Sequence, residues 1–420
     1  MNFAEALSYL LSLGHETLTI KLGLANTETL LAALGNPHKE FPAVQIAGTN
    51  GKGSTAVTLA SICRETAIRT GLFTSPHLIS ITERISIDGE QISEADFARF
   101  TSHVKATAEA LVKQGKLETL PTFFEQVTAI ALLAFREAKV NLAILETGLG
   151  GRLDSTTAAG AEIVAITQVA MDHEEYLGHT LAEIAAEKAA IIRPGVVAII
   201  APQTEEVLDV IVRQCEASGV EPRFVEPSRH KNISIGLRGR HQVENAATAI
   251  ALAESLRERG FAIPRAAVIR GVKTARHPGR LELWEGPPQI LFDGAHNPAA
   301  VRALRNYLDR FVAQPITMIF GAMRDKALTE MAAVLFPVAN RLILTELDNP
   351  RAASLEMLKL AVPGDFPEAN VHQASSADQA TRIAKEMTPT NGLICVTGSL
   401  YLVGAVQQAL KEFAGVAHRA

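Results

Sequence analysis

Cysteine is scarce: three in 420 residues, Cys63, Cys215 and Cys395, far apart, odd in number and each inside an apolar stretch. That usage fits buried thiols in a reducing compartment better than a disulfide framework or a zinc site, so the expected location is the cytoplasm. Long apolar runs are also missing. The longest, such as 129–135, fall well short of the roughly 20 residues that cross a bilayer, and no basic segment followed by an apolar core opens the chain; no membrane role is expected. Nor is there an excess of positive charge. The formal net charge is −5 without a long basic run, which excludes the electrostatic footprint of nucleic-acid or anionic-lipid binding. Repeats and low-complexity segments are absent too.

What is present is ordinary globular composition, 47% hydrophobic and 20% charged, in a chain longer than the roughly 250–300 residues at which one core stops growing. Two or three domains are expected. Short apolar runs alternate with amphipathic stretches, the pattern of a mostly parallel sheet covered by helices on both faces, so the class is α/β. Strands are expected at 43–47, 71–74, 142–145, 163–167 and 196–201, then at 289–292, 316–320, 341–344 and 393–396. Helices are expected at 54–68, 123–138, 180–193, 243–260, 298–311, 377–387 and 402–413. The turn His277-Pro278-Gly279 punctuates this pattern where the second series begins, which divides the chain into residues 1–279 and 280–420.

The segment 44–55 reads as a strand, then Gly48-Thr49-Asn50-Gly51-Lys52-Gly53-Ser54, then a helix start. Glycines let backbone N–H groups converge on phosphate oxygens, the helix terminus adds positive potential, Lys52 offers a point charge and Ser54 can reach a magnesium ion. The spacing departs from the strict phosphate-loop spelling, because Gly53 separates Lys52 from Ser54. Open α/β sheets bind ligands beyond the carboxyl ends of their strands, so polar residues at such ends are candidates: Glu146, Asp172-His173 and Asp293 with His296. A carboxylate and an imidazole beside a phosphate loop suit a divalent metal on ATP.

Lys188 lies within the apolar stripe Leu181, Ile184, Ala185, Ile191, Ile192 at helical spacing. Desolvation would leave its amine neutral and able to take up carbon dioxide as a carbamate; a lysine snorkelling from the edge of the stripe is the other reading. Asn245 likewise flanks an apolar helical face beside His241 and Gln242, where a side-chain amide reads an adenine or simply joins a helix-start polar cluster.

These residues resemble the Mur ligase superfamily and, within it, dihydrofolate synthase/folylpolyglutamate synthase. The resemblance runs through 48–54, Thr74-Ser75-Pro76-His77-Leu78 with Glu83-Arg84-Ile85, Pro121-Thr122-Phe123-Phe124-Glu125, 146–154, Asp172-His173, Glu187-Lys188-Ala189, Pro278-Gly279-Arg280 and 293–298. It implies an N-terminal phosphate-loop ATPase domain with a smaller Rossmann-like C-terminal domain, and ATP-dependent addition of L-glutamate to dihydropteroate or (tetrahydro)folate through an acyl phosphate. It also implies magnesium, with a monovalent cation as a further candidate, and a monomer. By that resemblance Ser54, Ser75, Glu146 and His173 are metal ligands. Thr49, Asn50, Gly51, Lys52, Gly53, Ser54, Asn245, Arg280, Asp293 and His296 contact ATP, with Lys52, His173, Arg280 and a carbamylated Lys188 in catalysis. Thr122, Phe123, Phe124, Glu125, Leu153, Asp154 and Ser155 form the pterin-side pocket. The short stretch ahead of the loop leaves no room for the extra N-terminal domain of many peptidoglycan ligases. Thr147 and Ser155-Thr156-Thr157 depart from the family's usual valine and Ala-Thr-Asn. The rival readings are a Mur-type ligase for another carboxylic acid, a phosphate-loop kinase, which gives Asp293 and His296 no duty, and a non-catalytic nucleotide-binding protein.

Overall fold

Continuous burial of β1 (Ala43–Ala47) on both faces places it inside a sheet, as its unbroken apolar run requires. In the computed structural model, which describes residues 1–14, 23–230 and 232–417, the first lobe adds β2 (Thr70–Phe73), β3 (Ile85–Ile87), β4 (Glu90–Gln91), β5 (Leu142–Glu146), β6 (Ile163–Ile166), β7 (Val197–Ile200) and β8 (Pro222–Phe224). These form one sheet in the order β4-β3-β2-β5-β1-β6-β7-β8, parallel except for the β2–β3 and β3–β4 pairs. The second lobe holds β9 (Glu282–Trp284), β10 (Gln289–Phe292), β11 (Ile316–Phe320), β12 (Arg341–Thr345), β13 (Val371–Ala374) and β14 (Leu393–Thr397). Their order is β13-β12-β11-β14-β10-β9, with only β9 antiparallel.

Apolar clusters cover both faces of each sheet. On one face of the first sheet, helix Lys52–Arg64 packs against helices Gln242–Glu258 and Arg265–Thr274; on the other lies helix Phe123–Glu137. Register aligns the carboxyl ends of the central strands: Ile46 pairs with Glu146 and Ala47 with Ile166. Everything that follows β1, β5 and β6 therefore opens at one rim.

All nine expected strands are present with ends shifted by a residue or two. The five not anticipated, β3, β4, β8, β9 and β13, are two to four residues long and lie at or next to the edges of their sheets, and none carries an unbroken apolar run to read. Two expected helices are shorter: 54–68 is observed as Lys52–Arg64 and 180–193 as Leu181–Ala189. Ile68, Ile191 and Ile192 are buried nonetheless, because the turns beyond those helices also face the core. Helices Phe3–Ser12, Ala25–Ala33, Glu94–Lys113, Glu205–Ser218, Arg265–Thr274 and Leu328–Leu335 are additional.

Gly71 on β2 faces the Phe135 ring so closely that a Cβ would lie 2.5 Å from its Cδ1. A Gly71→Ala change is expected to cost about 1–3 kcal/mol through overpacking, measured as a lower melting temperature; an unshifted transition would contradict this packing.

Candidate active site

The turn after β1 uses two left-handed glycines, Gly48 (φ 148°) and Gly51 (φ 90°). A Cβ on Gly48 would strike the Thr167 hydroxyl, and one on Gly51 the Asn245 side-chain oxygen; on Gly53 it would lie 2.8 Å from His277 Cε1. Only glycines allow so close an approach. Helix Lys52–Arg64 then starts without a side-chain cap, leaving its first N–H groups to an anion. Lys52 Nζ donates to the carbonyls of Gly48 (3.1 Å) and Thr49 (3.2 Å). Burial lowers its pKa, against the attraction of Glu146 and Asp172. The Thr49 hydroxyl both donates to Ala170 O and accepts from Ala170 N, each at 3.0 Å, which fastens the loop to the segment after β6.

One cleft gathers Thr49, Asn50, Gly51, Lys52, Gly53, Ser54, Ser75, Glu146, His173, Lys188, Asn245, Arg280, Asp293 and His296. Glu146 ends β5 and accepts from Ser75 N at 3.1 Å. His173 sits in the left-handed region (φ 53°); burial pushes its imidazole down to about 3, and its Nδ1 is buried without a hydrogen-bond partner. A neutral imidazole with a free nitrogen is able to accept a metal ion or a proton donor. Among the described residues no group of three or more His, Cys, Asp or Glu is close enough to hold a metal. The expected set of one carboxylate, one imidazole and two hydroxyls fits a magnesium ion all the same, since that ion keeps much of its shell for phosphate oxygens and water.

Lys188 is 4% exposed. Burial first, and then the positive charge of Lys52, bring its amine down to about 7. The geometry thus places it inside the cleft rather than at the edge of an apolar stripe.

The pterin-side candidates divide. Phe124 lines the cleft under the next loop, where a Cβ on Gly148 would come within 2.5 Å of its ring. Phe123 is corrected: it does not line the cleft but is a core residue, 4% exposed, with the Arg84 guanidinium 5.3 Å from its ring centroid, because the helix turns consecutive side chains to different faces. Thr122 and Glu125 line the cleft and also form the capping box of helix Phe123–Glu137. Leu153 lines it as well. Asp154 accepts from Gly148 N (2.8 Å), Leu149 N (2.9 Å), Thr156 N (3.0 Å) and the Thr156 hydroxyl (2.5 Å), so its carboxylate shapes the 147–154 loop. Ser155 bonds Thr128 at 2.7 Å. The unusual hydroxyls of Thr156 and Thr157 have a partner inside the central strand: Gln45 Nε2 donates to both, at 3.0 and 2.7 Å.

From the second lobe, Asp293 accepts from Leu281 N (2.9 Å) and Ala295 N (3.0 Å), fixing the turn beside Arg280. The sequence shows His277 only as punctuation and Gln242 only as a neighbour of Asn245, not as partners of Ser54. Both meet the Ser54 hydroxyl, His277 Nδ1 at 3.1 Å and Gln242 Nε2 at 3.2 Å, while Asn245 donates to Gln242 Oε1 at 2.9 Å. Lys326, 2.6 Å from Asp172, was missed too; it follows β11, and the strand-end rule that found Asp293 would have reached it.

Residues 279–400 match the model of the Mur ligase, glutamate ligase domain family. The chain is 34% identical over 420 residues to a dihydrofolate synthase/folylpolyglutamate synthase of Bacillus subtilis, covering 93% of this chain and 96% of that one. Among solved structures it is similar to Escherichia coli FolC in complex with DHPP and ADP (TM-score 0.86, 29% identity, 99% of each chain). It is also similar to a bifunctional folylpolyglutamate synthase/dihydrofolate synthase from Yersinia pestis complexed with AMPPNP and Mn ion (TM-score 0.84, 28% identity, 98% of each chain).

Lys188 yields a signed expectation. With a folded pKa of about 7 against an ordinary 10.5, the unfolded chain binds the extra proton between those values, so this lysine costs stability fully below pH 7 and progressively less as pH rises toward 10.5. In buffer freed of carbon dioxide, Lys188→Met should melt above the wild type at pH 6.5, with the gap narrowing by pH 9.5. A gap independent of pH would contradict the burial.

Proposed function

Because the chain belongs to the dihydrofolate synthase/folylpolyglutamate synthase family of Mur-type ligases, we propose that it joins L-glutamate to dihydropteroate, to (tetrahydro)folate, or to both, at the expense of ATP. One observation carries this reading: the phosphate loop, the Glu146–His173 pair and a desolvated Lys188 share a single cleft with Arg280, Asp293 and His296 of the other lobe. A kinase would leave those last residues idle. We place the division between the lobes at 279/280, and take the enzyme to act as a monomer in the cytoplasm, where its three buried, unpaired cysteines stay reduced.

The chemistry is alignment and charge neutralisation. A carboxylate oxygen of the pterin substrate attacks the γ-phosphorus and ADP leaves, giving an acyl phosphate. The glutamate nitrogen then attacks the acyl carbon, phosphate departs, and the amine loses its proton. The loop N–H groups, Lys52 and Ser54 hold the phosphates, and Arg280, at the junction, steers the terminal ones. Ser54, Ser75, Glu146 and His173 would hold magnesium, which supplies positive charge to the phosphate oxygens. Asp293 and His296 contact ATP from the second lobe, and Asn245 does so from beside Gly51 in the first. Phe124 offers a flat face to a pterin, with Thr122, Glu125, Leu153, Asp154 and Ser155 around it. Arg351, a cleft-lining cation of the second lobe paired to Asp325 at 2.9 Å, suits a carboxylate of the incoming glutamate. Lys188 takes up carbon dioxide, forming an N–C bond and releasing a proton, which converts its repulsion with Lys52 into attraction. Bringing the lobes together excludes water from the acyl phosphate.

The test is phosphate release that requires ATP, magnesium, glutamate and a pterin acceptor together, with a product mass ladder from dihydropteroate and from tetrahydrofolate. His173→Ala is expected to lower kcat about 10²-fold. Phosphate release indifferent to glutamate, or silence with every pterin acceptor, would overturn the proposal.

A further inference from the structure

Asp172 is a carboxylate of the first lobe held largely by the second. Of the hydrogen bonds it accepts, His173 N (2.9 Å) is local, whereas Lys326 Nζ (2.6 Å) and Asn297 Nδ2 (3.1 Å) reach across the cleft; His296 Nε2 stands 3.6 Å away. Burial makes these partners obligatory, since Asp172 is 8% exposed and Asn297 2%. A buried carboxylate deprived of its donors costs far more than an exposed one.

Asn297 is the hub. Its Oδ1 accepts from Ala300 N at 2.9 Å, capping helix Pro298–Phe311 of the second lobe. Its Nδ2 donates to Asn50 Oδ1 of the phosphate loop at 3.0 Å as well as to Asp172. One amide therefore ties a helix terminus of the second lobe to both ligand-bearing turns of the first. Asp172 passes the constraint on, because its bond to His173 N braces the left-handed residue whose imidazole faces the cleft.

We propose that Asn297 is a positioning residue for the ligation reaction: when the lobes meet, its amide sets the phosphate loop through Asn50 and the His173 turn through Asp172, with Lys326 completing the clasp. This rests on the assignment of His173 and the phosphate loop to catalysis. Separation of the lobes leaves both turns unbraced, so the site is assembled by closure.

Asn297→Asp keeps the helix cap and the shape but sets a second carboxylate against Asp172; Asn297→Ser keeps the cap and deletes both cross-lobe bonds. Each is expected to lower kcat at least tenfold while leaving KM for the pterin acceptor within threefold, since that pocket belongs to the first lobe. Adding Asp172→Asn to Asn297→Asp exchanges donor and acceptor and preserves net charge, and should raise kcat at least threefold above either single variant. A cap alone predicts no such reciprocal rescue. Single variants within twofold of wild type, or a double variant no faster than its parents, overturn the proposal. Small-angle scattering with ADP reads lobe separation without turnover: Asn297→Asp should give a larger radius of gyration, and an unchanged radius counts against the clasp even if the wild type fails to ligate glutamate. A wild type inactive with glutamate and every pterin acceptor refutes the functional assignment instead.

Discussion

Positive charge kept out of water is the constraint around which this cleft is organised. Lys188 is buried and Lys52 half-buried, both have lowered amine pKa values, and the charge of Lys52 is the second cause of the Lys188 shift. Such an arrangement is costly in an empty site and is offset by anionic groups placed between the cations. Glu146 and Asp172 supply part of that negative charge from within. Polyphosphate supplies more, so the same desolvation that penalises the lysines favours the ligand.

The sheet makes the arrangement possible without a buried loop. Aligned carboxyl ends of β1, β5 and β6 bring the phosphate loop, Glu146 and Asp172-His173 to one rim, and the second lobe closes over them from above. The loop carrying Ser75 is shaped for this contact. Glu83 accepts the backbone N–H groups of Leu78 (2.8 Å), Ile79 (3.0 Å) and Ser80 (2.8 Å). The resulting bend presses Leu78 against Gly279 and Gly404, where added Cβ atoms would meet it. Ser75 and the lobe junction are thus set by one turn.

The strands that were legible in the sequence are those whose apolar runs are continuous, because a parallel strand buried on both faces has no other way to be written. β3, β4, β8, β9 and β13 carry mixed polarity at the margins of their sheets, and a pairing partner decides their state. The site was legible wherever chemistry needs a residue type at a strand end, as for Glu146, Asp172-His173 and Asp293. Lys188 stood out because a cation interrupts an apolar stripe. The partners of His277, Gln242 and Lys326 were not legible, since each contact joins segments far apart in sequence: His277 and Gln242 meet at the Ser54 hydroxyl and Lys326, though it lies beyond the end of β11 where the strand-end rule looks, crosses to Asp172. Phe123 and Phe124 show the complementary limit, for the motif contains both and only the helix's rotation separates core from cleft.

Motif residues also differ in how much of their polar capacity the protein itself consumes. Asp154 accepts four donors from its own loop, and Thr122 and Glu125 satisfy each other as a helix cap. Loss of activity on replacing any of these would follow from collapse of the loop or helix start, with or without contact to a substrate. His173 is in the opposite position, with a buried ring nitrogen left over after folding. Unspent capacity in a buried polar atom is costly, and at His173 that atom belongs to a side chain lining the cleft, where a ligand can use it. By that criterion the metal-side assignment of His173, which its place after a strand end already suggested, rests on stronger physical ground than the pterin-side assignment of Asp154, which the family resemblance alone supplies.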